Sequence, residues 1–573
     1  MLPLSAVLPI LLALLQAGPP DDPRDAYDVL AYRLDLRVDP GRRTISGDVA
    51  TRARVTAERL DALVLDLVQG ARVERVRHAY EPAPGRASHG AEIDFLHEGD
   101  RLVCRLPDAA ERDEVVTLVV TYAVEPRVHK RLFGVHWEET EDGLPWVNTF
   151  SFLWGAHEWW PCKASVFHPE DKADELRVDL TVPEGLIGVS NGRLLGSAAA
   201  TKPPRSARTE DEGARRWTTF HWSHPYPITT YAVALHVGPF VPLARQISIP
   251  GVAGEVPFVA YVLPQNREAA QVQFAEVEKI LDVYSRRFGP FPFPKSKVGI
   301  VDVDYFGMGH ATAVGYGSTY PTWRQSRGLP DPRRFLNRYF DHVLVHEFAH
   351  EWWGNSVSVS DWSDMWLLEG LASYSAGVYL EDVSSRELAD RYFHDLAQLI
   401  PKNSRLAADP GTRAASAYST AHHYKGAAVL NLLRHCIDDD GRWWEVLRTF
   451  HERHRHGHAT TRDLVAVLEE RTGESWERFF DEWVYGCGLP ALDGDIVATE
   501  TGVQVDVDNF VESGEGFHLP LDLEWTVESG TQARRVDLEP GFNDRTIECG
   551  EAPRDLRVVN LHRVPGWHRV RVR

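Results

Sequence analysis

Two histidines four positions apart, with a glutamate beside the first, are the residues of this sequence that most clearly suggest chemistry. They are His346, Glu347 and His350, within the mostly apolar segment 339–353. On a helix, positions four apart share one face, so both imidazoles can bind one metal ion. The glutamate can then take a proton from a water molecule on that ion. The spacing predicts a zinc site for hydrolysis, with Glu347 as the general base.

A catalytic zinc site needs a third protein ligand and an open coordination position. Glu369 is the candidate, because it lies in a second apolar segment with helical spacing, residues 366–372. The predicted ligands of a single Zn²⁺ ion are therefore His346, His350 and Glu369. The competing interpretation is a partly buried helix that carries two exposed histidines.

The periodicity of apolar residues predicts the elements that must position these side chains. Period-two alternation, which is typical of half-buried strands, runs from about residue 28 to 239 and returns after residue 490. Helical spacing dominates from residue 332 to 485. The predicted fold class is α+β multidomain. We predict an all-β N-terminal domain at 26–245, a mainly helical zinc catalytic domain at 250–490 and a small C-terminal β-sandwich at 491–573.

The composition is that of a globular protein and excludes several classes. Of the 573 residues, 43% are hydrophobic and 25% are charged, which excludes a disordered or collagen-like chain. The net charge of −21 repels phosphate backbones, so we expect no nucleic-acid partner. The five cysteines are widely spaced and contain no C-x-x-C motif, so we expect neither a disulfide scaffold nor a zinc-cysteine site. The sequence does not decide whether one disulfide forms. The sequence does not indicate the oligomeric state.

The first 17 residues are predicted to be a signal peptide. Residues 2–17 are almost wholly apolar, too few to span a membrane, and end in the small residue Ala17. No later segment approaches membrane length, so we expect a secreted or periplasmic mature chain without a transmembrane span. The segment has no Lys or Arg at its start, so an uncleaved interfacial anchor is the alternative.

Further motifs around the zinc pattern resemble the M1 (gluzincin) family of metallopeptidases, which includes zinc aminopeptidases. The family pattern H-E-x-x-H, 18 residues, E is matched by His346, Glu347, His350 and Glu369, and W-x-G-N by residues 352–355. Other stretches that resemble the family are residues 160–162, 171–173, 182–185, 190–192, 288–292 and 483–486. The resemblance covers about residues 28–490. It implies a β-rich saddle-shaped N-terminal domain, a thermolysin-like catalytic domain, a small β-sandwich, and cleavage of amide bonds in a peptide or protein substrate.

Three motif positions depart from the family pattern. The family's G-x-M-E-N stretch, whose glutamate binds the substrate's α-amino group, is replaced here by a stretch that contains Gly307, Met308, Gly309 and His310. Gly309 takes the place of the glutamate and His310 that of the asparagine. Phe152 stands where many family members have a second Glu or Gln that anchors the amine. In the family's Y-x-K-G motif, His423 takes the place of the tyrosine that stabilises the oxyanion, with Tyr424 at the variable position.

The two missing amine anchors predict an altered specificity. An ammonium without a carboxylate partner loses a charge-assisted hydrogen bond worth about 1.5–3 kcal/mol. We therefore predict a metallopeptidase that acts on internal or N-blocked peptides. The alternatives are an ordinary aminopeptidase and a catalytically weak zinc-binding recognition protein.

The replaced tyrosine leaves the source of oxyanion stabilisation open. A histidine can donate a hydrogen bond to an oxyanion, and it donates best when protonated. We predict that His423 takes this role. Tyr424 is the second candidate, and a movement of Tyr418 into the site is a further alternative.

Overall fold

The computed structural model of this chain describes residues 22–79, 90–126, 128–129, 133–152, 155–200, 216–317, 320, 338–511 and 516–573. The predicted signal peptide at residues 1–17 lies outside the described residues. Within these ranges, no helix combines the length and the apolar character that crossing a membrane requires. All five cysteines are described as free thiols, so the disulfide that the sequence leaves open is not formed.

Long strands with alternating burial build the N-terminal domain, as the period-two pattern predicts. The largest sheet has eight strands, in the spatial order Arg193–Ala199, Trp217–His224, Glu175–Pro183, Tyr27–Asp39, Thr44–Val55, Val115–Val124, Arg72–Ala79 and Ala91–Ile93. A three-stranded sheet consists of Arg59–Asp66, Arg101–Glu111 and Phe95–Glu98. A five-stranded sheet consists of Ile187–Val189, His236–Gly238, Pro145–Phe150, Phe133–Glu139 and Val128–His129. The end of the Pro145–Phe150 strand brings the N-terminal domain to the site described below.

A second five-stranded sheet and the helices form the next domain. The strands, in spatial order, are Val241–Ser248, Glu255–Val262, Val298–Asp302, Val314–Tyr316 and Gly307–Met308. The helices are Arg267–Gln273, Val277–Phe288, His342–Ala349, Trp366–Val383, Arg386–Ala397, Ala414–Ala417, Thr420–Ile437, Asp440–His454, Thr461–Thr472 and Glu477–Phe480, and a short two-stranded sheet pairs Ser358–Val359 with His458–Ala459. Strand Val241–Ser248 belongs to this sheet, so the border predicted at 245–250 falls at the end of a strand of the catalytic domain.

Two small sheets form the C-terminal domain. One has four strands, Gly541–Glu548, Gly502–Phe510, Ala491–Ala498 and Trp567–Val572, and the other has three, Gly530–Leu538, Leu519–Val527 and Arg554–Val558. Their inner faces supply buried side chains such as Val505 and Leu521 to the core. The predicted α+β multidomain class, with β domains on either side of a helical domain, is confirmed.

A buried lysine joins the N-terminal domain to the loop that follows the zinc motif. The ammonium of Lys172 donates hydrogen bonds to the carbonyl oxygens of Asn355, Ser356 and Gly457, at 3.0, 2.9 and 2.7 Å. Three carbonyl acceptors offset part of the cost of removing this charge from water. The contact fixes the backbone just after His350 against the β domain.

Candidate active site

The zinc motif lies on a short buried helix, His342–Ala349, with His350 as its C-terminal cap residue. The carboxylate of Asp341 caps the N-terminus by accepting a hydrogen bond from the backbone N–H of Leu344 at 3.1 Å. His346 and His350 share one face of this helix, as the spacing predicts, and their Nε2 atoms lie 3.1 Å apart.

Two glycines bring the helix of Glu369 into close contact with the helix of His423. Helices Trp366–Val383 and Thr420–Ile437 cross where Gly370 and Gly426 meet, and a Cβ added to Gly426 would lie 2.8 Å from the Cα of Gly370. A larger residue at either position would push the helices apart. This close approach places Glu369 and His423 side by side.

Four donor groups converge at this point. The Oε2 atom of Glu369 lies 3.3 Å from His346 Nε2, 3.6 Å from His350 Nε2 and 3.1 Å from His423 Nδ1. Glu369 Oε2 is buried, yet it has no hydrogen bond of ordinary geometry within the described chain. Donors at about 2.0–2.1 Å from a tetrahedral zinc ion lie about 3.3 Å apart. The predicted ligands His346, His350 and Glu369 therefore fit one zinc ion.

The pKa shifts of His350 and Glu369 suit metal binding, which requires neutral imidazoles and an ionised carboxylate. Burial lowers the pKa of His350 to about 4, although the charge of Glu369 opposes this shift. Burial acts to raise the pKa of Glu369, but the imidazoles of His423, His350 and His346 outweigh it and hold that pKa well below its usual range. His350 also donates from Nδ1 to the carbonyl oxygen of Trp353 at 2.9 Å, which leaves Nε2 for the ion.

These donors lie in the wall of a cavity of about 160 Å³ that is partly open to solvent. Glu347, the predicted general base, lines the same cavity. The lining residues are Phe150, Phe152, Tyr231, Phe306, Gly307, Met308, Gly309, His346, Glu347, His350, Gly354, Asn355, Leu368, Glu369, Tyr418 and His423. Among these described lining residues, Glu347 and Glu369 are the only acids, and the wall beyond them is largely aromatic.

The structure brings most of the predicted substrate-binding residues together, but not His310. Phe152 lines the cavity and packs edge-on against Tyr231 and Trp362, at ring distances of 5.3 and 5.8 Å. Gly307, Met308 and Gly309 line it as well. His310 is fully buried outside the lining, where its ring packs against His236 at 5.4 Å, and burial lowers its pKa to about 3.

The two predicted oxyanion donors also differ in position. His423 lines the cavity, whereas Tyr424 is buried and is not among the lining residues. Tyr418 lines the cavity, and its hydroxyl lies 3.2 Å from His423 Nε2. Trp352 and Trp353, beside the motif, are fully buried core residues.

The N-terminal domain contributes aromatic side chains to the cavity wall that the sequence did not predict, in particular Phe150 and Tyr231. Phe150 ends a strand, and the hydroxyl of Tyr231 donates to the carbonyl oxygen of Gly354 at 3.0 Å. No local pattern marks these residues, because only the packing of the two domains brings them to the cavity. The close contact between helices Trp366–Val383 and Thr420–Ile437 did leave a trace in the sequence. Gly370 and Gly426 are glycines inside helical patterns, which can indicate close packing.

We expect Gly309→Ala to weaken zinc binding at least about 10-fold, comparable to loss of a group that orients a ligand. A Cβ at this position would lie 2.5 Å from the Cβ of His350 and 2.8 Å from its Cδ2, so the imidazole must move. Competition with a chelating dye would measure the affinity. Gly196→Ala is the matched control, because a Cβ there has no neighbour within 4 Å. Equal zinc affinity in the two variants would contradict the expected displacement of His350.

Comparisons with known proteins point to one peptidase family. The sequence model described as the Peptidase family M1 domain matches residues 272–483. Glutamyl aminopeptidase of Bos taurus is 25% identical over 329 residues, which are 54% of this chain and 33% of the relative. Aminopeptidase M1-D of Oryza sativa subsp. japonica is 24% identical over 392 residues, which are 66% of this chain and 41% of the relative. The chain thus spans only about a third to two fifths of these curated relatives.

A solved structure shares the fold over most of this chain. The M1 zinc metallopeptidase from Deinococcus radiodurans superimposes with a TM-score of 0.63 at 24% sequence identity, covering 80% of this chain and 93% of that one. At this identity the likeness establishes the architecture. The matched model and the aminopeptidase relatives support an M1 aminopeptidase-like protein, with residues 272–483 similar to the family's peptidase domain.

Proposed function

We propose that this protein is a zinc-dependent metallopeptidase that hydrolyses amide bonds of peptides. The observation that carries the proposal is the convergence of His346 Nε2, His350 Nε2 and Glu369 Oε2 at 3.1–3.6 Å from one another, with Glu347 in the same cavity. The relatives named as aminopeptidases and the structure named as a zinc metallopeptidase support it. The activity proposed for the whole chain rests on the donor geometry together with these similarities.

The proposed mechanism assigns the proton transfers to Glu347. A zinc ion on the three ligands would supply Lewis-acid activation of a water molecule and of the scissile carbonyl. Glu347 would accept the proton of that water on its carboxylate and then deliver it to the leaving amine nitrogen. Its Oε1 atom lies against Gly307, where a Cβ would come within 2.6 Å of it. The glycine backbone thus leaves room for the base at the cavity wall.

The oxyanion of the tetrahedral intermediate needs a hydrogen-bond donor in the same cavity. The sequence assigns this role to His423, with Tyr424 as the second candidate. The position of His423 in the lining favours it over Tyr424 on geometry. Tyr418, which the sequence offers as a further alternative, supplies a hydroxyl on the same wall.

The cavity wall favours substrates that present no free amine. Gly309 and Phe152 occupy the positions at which the resemblance leads us to expect amine-binding side chains, and both line the cavity. An aromatic ring and a glycine offer no counter-charge to an ammonium. We therefore propose internal or N-blocked peptide bonds as the substrate class. Ordinary aminopeptidase activity is the second candidate, favoured by the names of the curated relatives.

Matched pairs of fluorogenic peptides that differ only in N-acetylation would test this specificity. We expect values of kcat/KM within about 3-fold between the two members of each pair. An amine anchor worth about 1.5–3 kcal/mol would instead favour the free amine by at least about 10-fold. The Glu347→Gln variant, purified in parallel, controls for contaminating proteases.

Each outcome of the peptide assay distinguishes one functional hypothesis from the others. Marked preference for the free amine would replace the altered specificity with ordinary aminopeptidase activity. No turnover of a broad peptide library by zinc-loaded protein would favour the catalytically weak recognition protein.

Residues 2–17 support a further proposal on location. We propose that this apolar leader exports the protein to a periplasmic or extracellular space, where its peptide substrate would be met. The strongly negative net charge argues against a nucleic-acid partner there.

A further inference from the structure

We propose that His168, Asp25 and Glu170 bind a second divalent metal ion, at a cavity separate from the candidate active site. The three side chains offer one imidazole nitrogen and two carboxylate oxygens. All three line a cavity of about 1000 Å³ that the N-terminal domain forms together with residues such as Trp362. The inference makes no use of the proposed zinc ligands, so the failure of one site leaves the other intact.

The donor atoms of the three residues have separations that suit one ion. His168 Nδ1 lies 3.1 Å from Glu170 Oε1 and 3.5 Å from Asp25 Oδ1. One donor atom from each residue lies within 4.8 Å of the other two. Donors at about 2.0–2.2 Å from a tetrahedral or octahedral ion lie about 3–3.5 Å apart. Both measured contacts of the imidazole fall in this range.

The imidazole of His168 is buried and has one nitrogen without a hydrogen bond. The side chain is only 7% exposed, and its Nε2 has no hydrogen-bond partner within the described part of the chain. The carboxylate of Asp22 lies 3.8 Å from this Nε2. A neutral imidazole carries one proton, so a proton that Nδ1 donates to Glu170 would leave the Nε2 lone pair facing a carboxylate.

A metal ion on Nδ1 removes this mismatch. The single proton of the neutral ring then lies on Nε2 and points toward Asp22, which is the arrangement common for metal-binding histidines. An imidazolium would also place a proton on each nitrogen. The two states differ in whether a metal ion is bound, and a metal titration separates them.

The two carboxylate ligands have no lysine or arginine that neutralises them. Among the described residues, His168 is the only basic side chain in ion-pairing range of Asp25 or Glu170. The guanidinium of Arg24, on the residue before Asp25, instead pairs with Asp66. Burial acts to raise the pKa of Glu170, but the hydrogen bond from His168 outweighs it and holds that pKa below its usual range. The carboxylate is therefore ionised, as a metal ligand must be.

The electrostatic field of the cavity also favours a cation. Seven of its lining residues are acids and three are arginines. A concave surface with such an excess of one sign raises the local concentration of the opposite charge.

A buried lysine holds in place the two segments that supply the ligands. The ammonium of Lys163 donates to the carbonyl oxygen of Tyr27 at 2.9 Å, two residues after Asp25. It also pairs with the carboxylate of Asp171 at 2.7 Å, next to Glu170. Segments that are fixed before binding lose little conformational entropy when the ion arrives.

The donor set indicates the class of ion. Calcium and magnesium take oxygen ligands in proteins, whereas an imidazole combined with carboxylates suits manganese or zinc. Asp25 is 65% exposed and Glu170 is 39% exposed, so the remaining coordination positions face the cavity and its water. The ion would tie the 3₁₀ turn Pro23–Ala26 to the loop of His168. We therefore assign it a structural role.

Titration of Mn²⁺ into the full protein, already equilibrated with one equivalent of zinc, would test the second site. The signal of free Mn²⁺ in electron paramagnetic resonance measures the binding, and titration with further Zn²⁺ by calorimetry gives a second readout. We expect one additional ion in the wild type. Asp25→Asn and His168→Asn should each weaken its binding at least about 10-fold. Asp25 is largely exposed, so its variant keeps the test available even if His168→Asn does not fold.

His221→Asn is the matched control. His221 belongs to the same domain, and its Nδ1 lies 2.6 Å from Asp179 Oδ1. It is another histidine–carboxylate pair, but it does not line this cavity. Its variant should bind the additional ion with wild-type affinity.

A wild-type protein that binds neither Mn²⁺ nor further Zn²⁺ would overturn the second site and leave His168 as an imidazolium among carboxylates. Equal affinities in the wild type, Asp25→Asn and His168→Asn would also overturn it, because the ion would then lie elsewhere. The titration needs no peptide hydrolysis, so its result is independent of the proposed function.

Discussion

Replacing Glu347 with glutamine is expected to lower kcat by about 100- to 10,000-fold, the range of general acid-base catalysis. The side chain is buried in the cavity wall beside the ligand cluster, and its Oε1 atom lies against the backbone of Gly307. A glutamine has the same size and preserves that contact, but its amide cannot accept a proton from water. Steady-state hydrolysis of the best peptide substrate would measure the loss.

The interpretation of this variant depends on its zinc content. Glu347 is proposed as the base and not as a ligand, so Glu347→Gln should retain one equivalent of zinc by elemental analysis. Glu351→Gln is a matched control on the segment just after His350. Burial raises the pKa of Glu351 to about 8, so its carboxyl is largely protonated at neutral pH and glutamine resembles it. A zinc-loaded Glu347→Gln protein with wild-type kcat would exclude Glu347 as the base.

The convergence of the three proposed zinc ligands was predictable because the relevant pattern is local. His346 and His350 are one helical turn apart, and an apolar helical segment indicated that both would lie on an ordered helix. Glu369 followed from the need for a third ligand on a second apolar helix. These statements depend on helical periodicity and on zinc chemistry alone, and the structure brings all three residues together.

The substrate side of the site was less predictable because it depends on long-range packing. Phe150 and Tyr231 reach the cavity from the β-rich domain, and their positions follow from how the domains dock. Met308 and His310 are two residues apart, yet Met308 lines the cavity while His310 is fully buried outside the lining. The turn after the short strand Gly307–Met308 decides that difference, since the N–H of His310 bonds back to the carbonyl oxygen of Met308 at 2.8 Å. No sequence pattern specified this turn.

Removing the charge of Glu369 is expected to abolish most of the zinc-induced gain in thermal stability. A ligand that binds the folded state stabilises it according to its affinity, so a 100-fold weaker affinity removes about 2.7 kcal/mol of that gain. Loss of a group that merely orients a ligand weakens metal binding by about 10- to 100-fold. Loss of a direct ligand should therefore weaken zinc binding by about 100-fold or more. Glu369→Gln should therefore show almost the same melting temperature with and without zinc.

The comparison of Glu369→Gln with and without zinc separates metal binding from folding. Glu369 is buried among three imidazoles that hold its pKa below the usual range, so the substitution also alters the metal-free protein. Because the zinc-induced shift is taken within each variant, that change cancels. Glu351→Gln, another buried carboxyl changed to an amide, should keep the full wild-type shift. A wild-type shift in Glu369→Gln would show that the carboxylate is not a ligand, and the convergence of donors on Glu369 Oε2 would then need another cause.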